Sequence, residues 1–328
     1  MTEMKPIASF GEALIDLLSI DSKNYIVNPG GAPANVAAAA ALLGVPSYFI
    51  GKIGKDAFGA SIRSKLTEVG VRTDYLLESP DKSTTLAIVT LTEKGQRDFA
   101  FYRKDTADLS LTVEEIPLEL LEEAGVFHFG SLTLTAEPAR TTTLLAAREA
   151  RRRGCLVSYD PNLRLNLWNS EEQARSAILE AMELADLVKI NEDELCFLTE
   201  AEFNGIHSHS LETRAQFLSA RFGLKALLVT LGADGCFSVT VRGIEKFQGI
   251  PVQAVDTTGA GDAFVGALLS GIARELTSPD EWPEWLALPG NWTRAVKTAI
   301  RYSALSTEAY GAIDSYGPEP FLSTEEER

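Results

Sequence analysis

"DTTGAGDAFVGALL", residues 256–269, sets two glycines about an alanine, adds an aspartate and runs straight into an apolar stretch. Glycine weakens a helix interior by about 0.5–1 kcal/mol and a buried carboxylate costs desolvation, so each of these residues needs a reason. From Ala263 onward nearly every position is apolar, the pattern of a helix buried on all sides. The preceding "GIPVQAV" (249–255) reads as extended. The glycines then fall at a buried helix N-terminus, where unpaired backbone N–H groups and the positive end of the helix dipole face outward and residues without Cβ let an anion approach. Gly259, Ala260 and Gly261 therefore read as an anion hole. Asp262, in the first helical turn, has two readings: it complements the dipole, or it accepts a proton from a substrate hydroxyl while the hole stabilises a phosphoryl group in transfer. Such a transfer rests on positioning and charge stabilisation, for which a carboxylate of ordinary pKa suffices.

Around this segment, short β-branched or aromatic runs alternate with helical-period segments. "PIASFGEALIDLL" reads as a strand turning into a second extended piece, "PANVAAAAALLG" as a helix ended by Gly44, "SYFIGKIG" as a strand and "DAFGASIRSKLTEVG" as a helix. "VFHFGSL", a helix after Glu137, "CLVSYD", a helix opened by Ser170 with Gln173 at capping-box spacing, "DLVKI", "KALLVTLG" and a late helix "VKTAIRYSALSTEAYG" continue the series. The alternation predicts a doubly wound, mostly parallel sheet flanked by helices, with ligands at the carboxyl ends of its strands. From Thr84 to Arg103 the period drops to two, "TTLAIVTL" and "RDFAFYR" about "TEKGQ", which predicts a β-hairpin standing apart from the parallel sheet. "SPDEWPEWLALPGNW" reads as a packing loop between two helices.

Composition bounds the function. The 328 residues are 45% hydrophobic and 23% charged, with a net charge of −16, which suits a globular chain and argues against a nucleic-acid surface. Cys155, Cys196 and Cys236 are too scattered for a disulfide framework or zinc site and read as core thiols. No apolar run reaches membrane-spanning length and "MTEMKP" lacks a secretory pattern, so the expectation is a cytoplasmic protein without a membrane partner. P-loop, dinucleotide fingerprint, nucleophile elbow and histidine metal spacing are all missing.

A second glycine cluster, "NPGGAPANVAAAAALLG", places Gly30 and Gly31 before Asn35. The glycines let backbone lie against a ligand, and Asn35 either makes hydrogen bonds to that ligand or is only a helix-terminus residue. Asp16, an acid inside an apolar strand, needs a partner such as a sugar hydroxyl.

Together the two clusters resemble the signatures of the ribokinase-like sugar kinases, the PfkB carbohydrate kinase family. "GEALIDLL", "FIGKIGKDAFG", "FAFYRKDTAD", "SYDPNLRLNLW" and "KINEDELCFLT" are similar to successive segments of its fructokinase members, so the resemblance covers nearly the whole chain. It implies one ribokinase-like α/β kinase domain over residues 1–328 with a small β-sheet lid formed by about 14–29 and 84–105. It implies ATP-dependent phosphorylation of a sugar, D-fructose to fructose 6-phosphate, with Mg²⁺. Another family sugar, 2-keto-3-deoxygluconate or ribose, and a catalytically silent sugar- or protein-binding relative are the alternatives. By the resemblance Asp262 is the general base over the anion hole of Gly259, Ala260 and Gly261. Asp16, Gly30, Gly31 and Asn35 contact the sugar; Phe101 and Arg103 approach it from the lid; Asp160, Asn162 and Arg164 lie at a strand end used for substrate. Lys189, Asn191, Thr230, Gly232, Gly235 and Gly311 line the nucleotide. Glu194 organises Mg²⁺ through water and phosphate, although "NEDE" also reads as a plain acidic helix start. Asp256, Thr258, Ser306, Ala309, Gly311 and Ser315 align with the K⁺ site of some members. A lid that closes over sugar excludes water, and in relatives it pairs subunits, implying a homodimer.

Overall fold

The computed structural model describes residues 4–19, 23–91, 97–203, 209–276, 281–288 and 290–318. The tip of the 84–103 hairpin and His207 lie outside them. Nine strands form the main sheet: β1 (Ile7–Phe10), β4 (Ser47–Gly54), β5 (Leu76–Ser79), β8 (Val126–Gly130), β9 (Leu156–Asp160), β10 (Leu187–Asn191), β11 (Ala226–Thr230), β12 (Gly235–Thr240) and β13 (Gly243–Gln248). Their order is β13-β12-β11-β10-β9-β8-β1-β4-β5. Pairing from β5 to β11 is parallel, and β12 and β13 close one edge antiparallel. The inner parallel strands β1, β8, β9, β10 and β11 are buried on both faces, which is why they read as nearly continuous apolar runs.

Two apolar layers cover the sheet. One holds α1 (Ala32–Leu42), α8 (Ala260–Glu275), α9 (Trp282–Ala287) and α10 (Asn291–Ser306). The other holds α3 (Leu118–Glu123), α4 (Ala139–Arg152), α5 (Glu171–Met182), α6 (Glu192–Phe203) and α7 (Leu211–Phe222). α2 (Ala57–Glu68) follows β4 and packs Ile62 and Leu66 into the first layer. Chain order reverses between β8 and β1, the switch point at whose carboxyl side ligand crevices form.

The second, four-stranded sheet runs β3-β2-β6-β7, from β2 (Leu14–Ser19), β3 (Tyr25–Gly30), β6 (Thr85–Leu91) and β7 (Arg97–Tyr102). The expected hairpin is thus paired with the residues around Asp16, outside the main sheet. Arg103 to Asp105 have left the strand.

Several local expectations need correction. "GIPVQAV" forms no strand, because the antiparallel pair β12–β13 ends the sheet before it. The late helix starts at Asn291 and stops at Ser306, short of "TEAYG". Ser170 Oγ accepts from Gln173 N, but Gln173 reaches back to Asn169 N and so misses the reciprocal capping-box bond. Cys155 and Cys236 are buried, whereas Cys196 is exposed on α6. The Trp-rich segment is no mere loop: it contains α9, and its last residues open α10, while its packing is as expected, Trp282 stacking on Trp285 and meeting Trp292 edge-on with Trp282 and Trp292 fully buried.

Candidate active site

α8 begins where its sequence demands. Gly259 caps it at φ 74°, a left-handed conformation, and a Cβ there would come within 2.5 Å of Ala312 Cβ. No side chain caps this end, and Ala260 N donates to Thr257 O at 3.3 Å, so of the expected anion hole Ala260 is already bonded and the amides of Gly261 and Asp262 are the ones left to face outward. Gly266, one turn beyond Asp262, is a close approach: a Cβ would lie 2.5 Å from Ala39 Cβ of α1. Four residues earlier on each helix, Asn35 Nδ2 donates to Asp262 Oδ2 at 2.7 Å. The tight α1–α8 crossing therefore brings the two glycine clusters into one site, and Asn35 sits inside the first turn of α1, which starts at Ala32.

Asp262 is half-buried, and its carboxyl is pushed up to about 7, chiefly by burial. The Asn35 hydrogen bond opposes that rise, the charge of Asp160 adds to it, and Lys189 and Arg164 work against it. Lys189 projects from β10 so that its Nζ lies 3.0 Å from where a Cβ of Gly261 would stand, beside the anion hole. Asp160 Oδ2 accepts from that Nζ at 3.0 Å, and both groups are buried. Burial pulls the Lys189 ammonium down, but Asp160 and Glu194 more than offset it and hold its pKa above the usual value. Asp160 Oδ1 accepts from the backbone of Asn162, which adopts φ 44° and turns the chain toward Arg164.

Asn191 and Glu194 form a reciprocal cap at the start of α6. Asn191 Oδ1 accepts from Glu194 N at 2.8 Å, and Glu194 Oε2 accepts from Asn191 N at 2.9 Å. Glu194 Oε1 accepts from Leu163 N at 2.7 Å, tying the strand-end loop of Asn162 and Arg164 to α6. The acidic helix start is real, and Glu194 also ties the strand-end loop to it. Burial raises the Glu194 carboxyl. Thr230 Oγ1 bonds Ile190 O at 3.4 Å, Gly232 lies in the turn after β11, and Gly235 opens β12 against the carbonyl of Phe247.

In the lid, Asp16 pairs in register with Asn28 and Ala87, and Ala87 with Phe101, so these four lie in one row on one face. That face looks at the site: a Cβ on Gly30 would stand 3.0 Å from Asp16 Oδ2 and 3.7 Å from Asn35 Oδ1. Arg103 turns back onto the body. Its guanidinium is buried, donating from Nε to Asp108 at 2.8 Å and from Nη1 to Thr135 Oγ1 at 2.8 Å.

Beside the hole, Asp256 accepts from Thr258 N at 2.7 Å and from Gly311 N at 2.9 Å. Thr258 Oγ1 is buried without a hydrogen-bond partner among the described residues. Ser306 and Ser315 hydroxyls bond to the carbonyls of Ser303 and Ala312, and Ala309 is exposed. A narrow crevice lined by Asp16, Asn28, Val89, Asp256, Thr258 and Ala312 runs between lid and hole.

Sequence reasoning missed three neighbours. Tyr316 Oη donates to Gly259 O at 2.7 Å and Ser303 Oγ to Ala260 O at 2.8 Å, buttressing the turn from behind. Glu12, at the end of β1, is buried beneath α1 and accepts from Ala32 N at 3.2 Å. Only Glu12 left a signal, a carboxylate directly after the first strand.

Residues 4–319 match the profile of the pfkB family carbohydrate kinases. Fructokinase-1 of Zea mays is 42% identical over 320 residues, which cover 95% of each chain. A fructokinase from Xylella fastidiosa with bound ATP superposes with a TM-score of 0.90 at 31% identity, covering 98% of this chain and 97% of that one. A double mutant of fructokinase from Vibrio cholerae O395, bound to fructose, ADP and potassium ion, superposes with a TM-score of 0.85 at 32% identity over 98% of both chains.

Proposed function

We propose that this chain, which belongs to the pfkB family of carbohydrate kinases, is an ATP-dependent fructokinase that makes fructose 6-phosphate from D-fructose. The observation that carries the reading is the Asn35–Asp262 hydrogen bond at the uncapped N-terminus of α8, opposite the Asp16 row of the lid. Asp16, Gly30, Gly31 and Asn35 would hold sugar hydroxyls, with Phe101 facing them. Asp262 would accept the proton of the 6-hydroxyl as it attacks the γ-phosphate. A base poised near 7 is well matched to neutral pH. The amides of Gly261 and Asp262, with Lys189 set by Asp160, would stabilise charge on the phosphoryl oxygens.

Mg²⁺ would neutralise phosphate charge when bound with the nucleotide. Among the described residues no group of three or more His, Cys, Asp or Glu could hold a metal ion alone, and both Glu194 oxygens already accept backbone N–H groups. That fits Glu194 to a water-mediated role, beside a nucleotide lined by Asn191, Thr230, Gly232, Gly235 and Gly311. The orphaned Thr258 hydroxyl next to Asp256 suits a K⁺ site, a species carried by the Vibrio cholerae neighbour.

A homodimer through the lid belongs to the same proposal, since the outer face of that sheet exposes Tyr25, Val27 and Tyr102 at 44%, 47% and 62%. Three free thiols suit a reducing, cytoplasmic setting, and among the described residues no helix is long and apolar enough to cross a membrane.

The test is ADP release from purified protein with MgATP and K⁺, offering fructose, ribose, 2-keto-3-deoxygluconate, glucose or no sugar. Fructose should give the highest kcat/KM. Preference for another sugar would overturn the substrate assignment, and turnover of none would favour a silent relative.

A further inference from the structure

The chain passes between body and lid four times: through Glu12 from β1 to β2, through Gly31 from β3 to α1, into β6 at Thr85, and out of β7 at Arg103. Residues from the four crossings form two buried hydrogen-bonded groups, Glu12 with Ala32 and Asp108 with Arg103, Thr85 and Thr106, and the charges of the second act on Glu12. Glu12, 1% exposed, accepts from Ala32 N through Oε1, and its carbonyl oxygen lies 2.5 Å from where a Cβ of Gly31 would stand. Arg103 pairs with Asp108 through Nε at 2.8 Å and Nη2 at 2.7 Å. The hydroxyls of Thr85 and Thr106 converge on the other Asp108 oxygen, each at 2.7 Å. Glu12 Oε2 is buried without a hydrogen-bond partner among the described residues, and Arg103 is the opposing charge that acts on it most, with Asp108 acting in the other sense.

We propose that the Glu12–Arg103–Asp108 cluster is the hinge of the lid, and that Glu12 is a positioning residue which ties the lid roots to the sugar-facing end of α1. A buried carboxyl with an incomplete set of partners is stable only while its neighbours hold one arrangement. A shift of either lid root disturbs Glu12, and Glu12 holds the amide of Ala32, three residues ahead of Asn35 on the same helical turn. Lid closure and the Asn35–Asp262 geometry are thereby coupled. Burial pushes the Glu12 carboxyl up to about 7, so a neutral isostere is compatible with the fold.

This inference rests on the sugar-kinase reading for its kinetic consequences, but its structural core can be tested without substrate. The first readout is amide hydrogen exchange in sugar-free protein. Glu12→Ala should speed exchange about tenfold or more at Ala32 and in β2 and β6, with the strands of the main sheet unchanged. Glu12→Gln, which keeps an acceptor for Ala32 N, should restore the Ala32 amide. The second readout is kinetic, on whichever sugar the wild type turns over best. Glu12→Gln and Asp108→Asn should each raise the sugar KM about five- to tenfold, leave the ATP KM within about twofold, and increase ATP hydrolysis without sugar. Exchange and sugar KM unchanged in all variants, or a uniform fall of every parameter together with thermal stability, would overturn the hinge. If no sugar is turned over, the fructokinase reading fails while the exchange data still decide the hinge.

Discussion

The N-termini of α6 and α8, linked through Lys189, whose Nζ lies beside Gly261, are finished in opposite ways. α6 is closed: Asn191 and Glu194 cap each other's backbone, and Glu194 spends its second oxygen on Leu163 N. α8 is left open, capped by a glycine whose turn is braced from behind by Tyr316. A side-chain cap contributes about 0.5–2 kcal/mol to a helix start, so α8 forgoes a stabilisation that α6 takes. On the proposed function, the difference separates a scaffold end from the end that would hold the transferred phosphoryl group. Amides satisfied by the protein cannot bind phosphate, and amides left outward can.

The largest effect that sharpens this contrast comes from Asp262→Asn. Its kcat should fall about 10² or more, with sugar affinity by calorimetry close to wild type. A thermal comparison accompanies it. The Asp262 pKa in the folded chain is raised to about 7 from an ordinary 3.8, so the folded protein holds the proton through that window and wild-type stability falls as pH rises from about 4 to 7. Asn does not titrate; the variant should therefore melt about 3 °C higher than wild type at pH 8 and equal to it near pH 4.

Asn35→Ala should act more gently. Its hydrogen bond lowers the Asp262 pKa, so its loss should move the acid limb of the kcat/KM profile to higher pH, by about 0.5–1 unit. An unmoved limb would show that Asp262 is not the group that titrates.

At the closed end, Glu194→Ala removes the cap and the tie to Leu163. Stability should drop by about 1–2 kcal/mol, read by denaturant titration, and half-saturation by Mg²⁺ should rise a few-fold while kcat at saturation stays within about threefold. A loss of kcat as deep as that of Asp262→Asn would erase the distinction between the two ends.

Much of this was legible residue by residue. The switch of period at Thr84 marked the hairpin because alternation is a local property of a half-buried strand. The glycines at 259 and 261 marked an open helix start for the same kind of reason, since a left-handed cap and an absent Cβ are demands of the chain at that point. The hairpin's partner strands followed only from the family resemblance, since no local pattern pairs 14–29 with 84–105, and the fate of Arg103 was not legible. A guanidinium one residue past a lid strand could extend to a ligand or fold back, and Asp108 with Thr135 decided for the body.

The sequence by itself determined the alternating α/β order, the two glycine turns and the acids worth watching, because helix, strand and turn preferences act within a few residues. Tertiary structure alone decided which of those acids share a site. Asn35 meets Asp262 across 227 positions because Gly266 lets α1 and α8 cross closely, and Lys189 reaches the hole because β10 lies beside β9 and Asp160 holds its ammonium. Glu12 meets the Ala32 amide, and Asp108 gathers Thr85 and Arg103, only because strands and helices distant in the chain are brought together at the roots of the small sheet. Such contacts depend on the packing of surfaces, and no local pattern in the chain encodes where two surfaces touch.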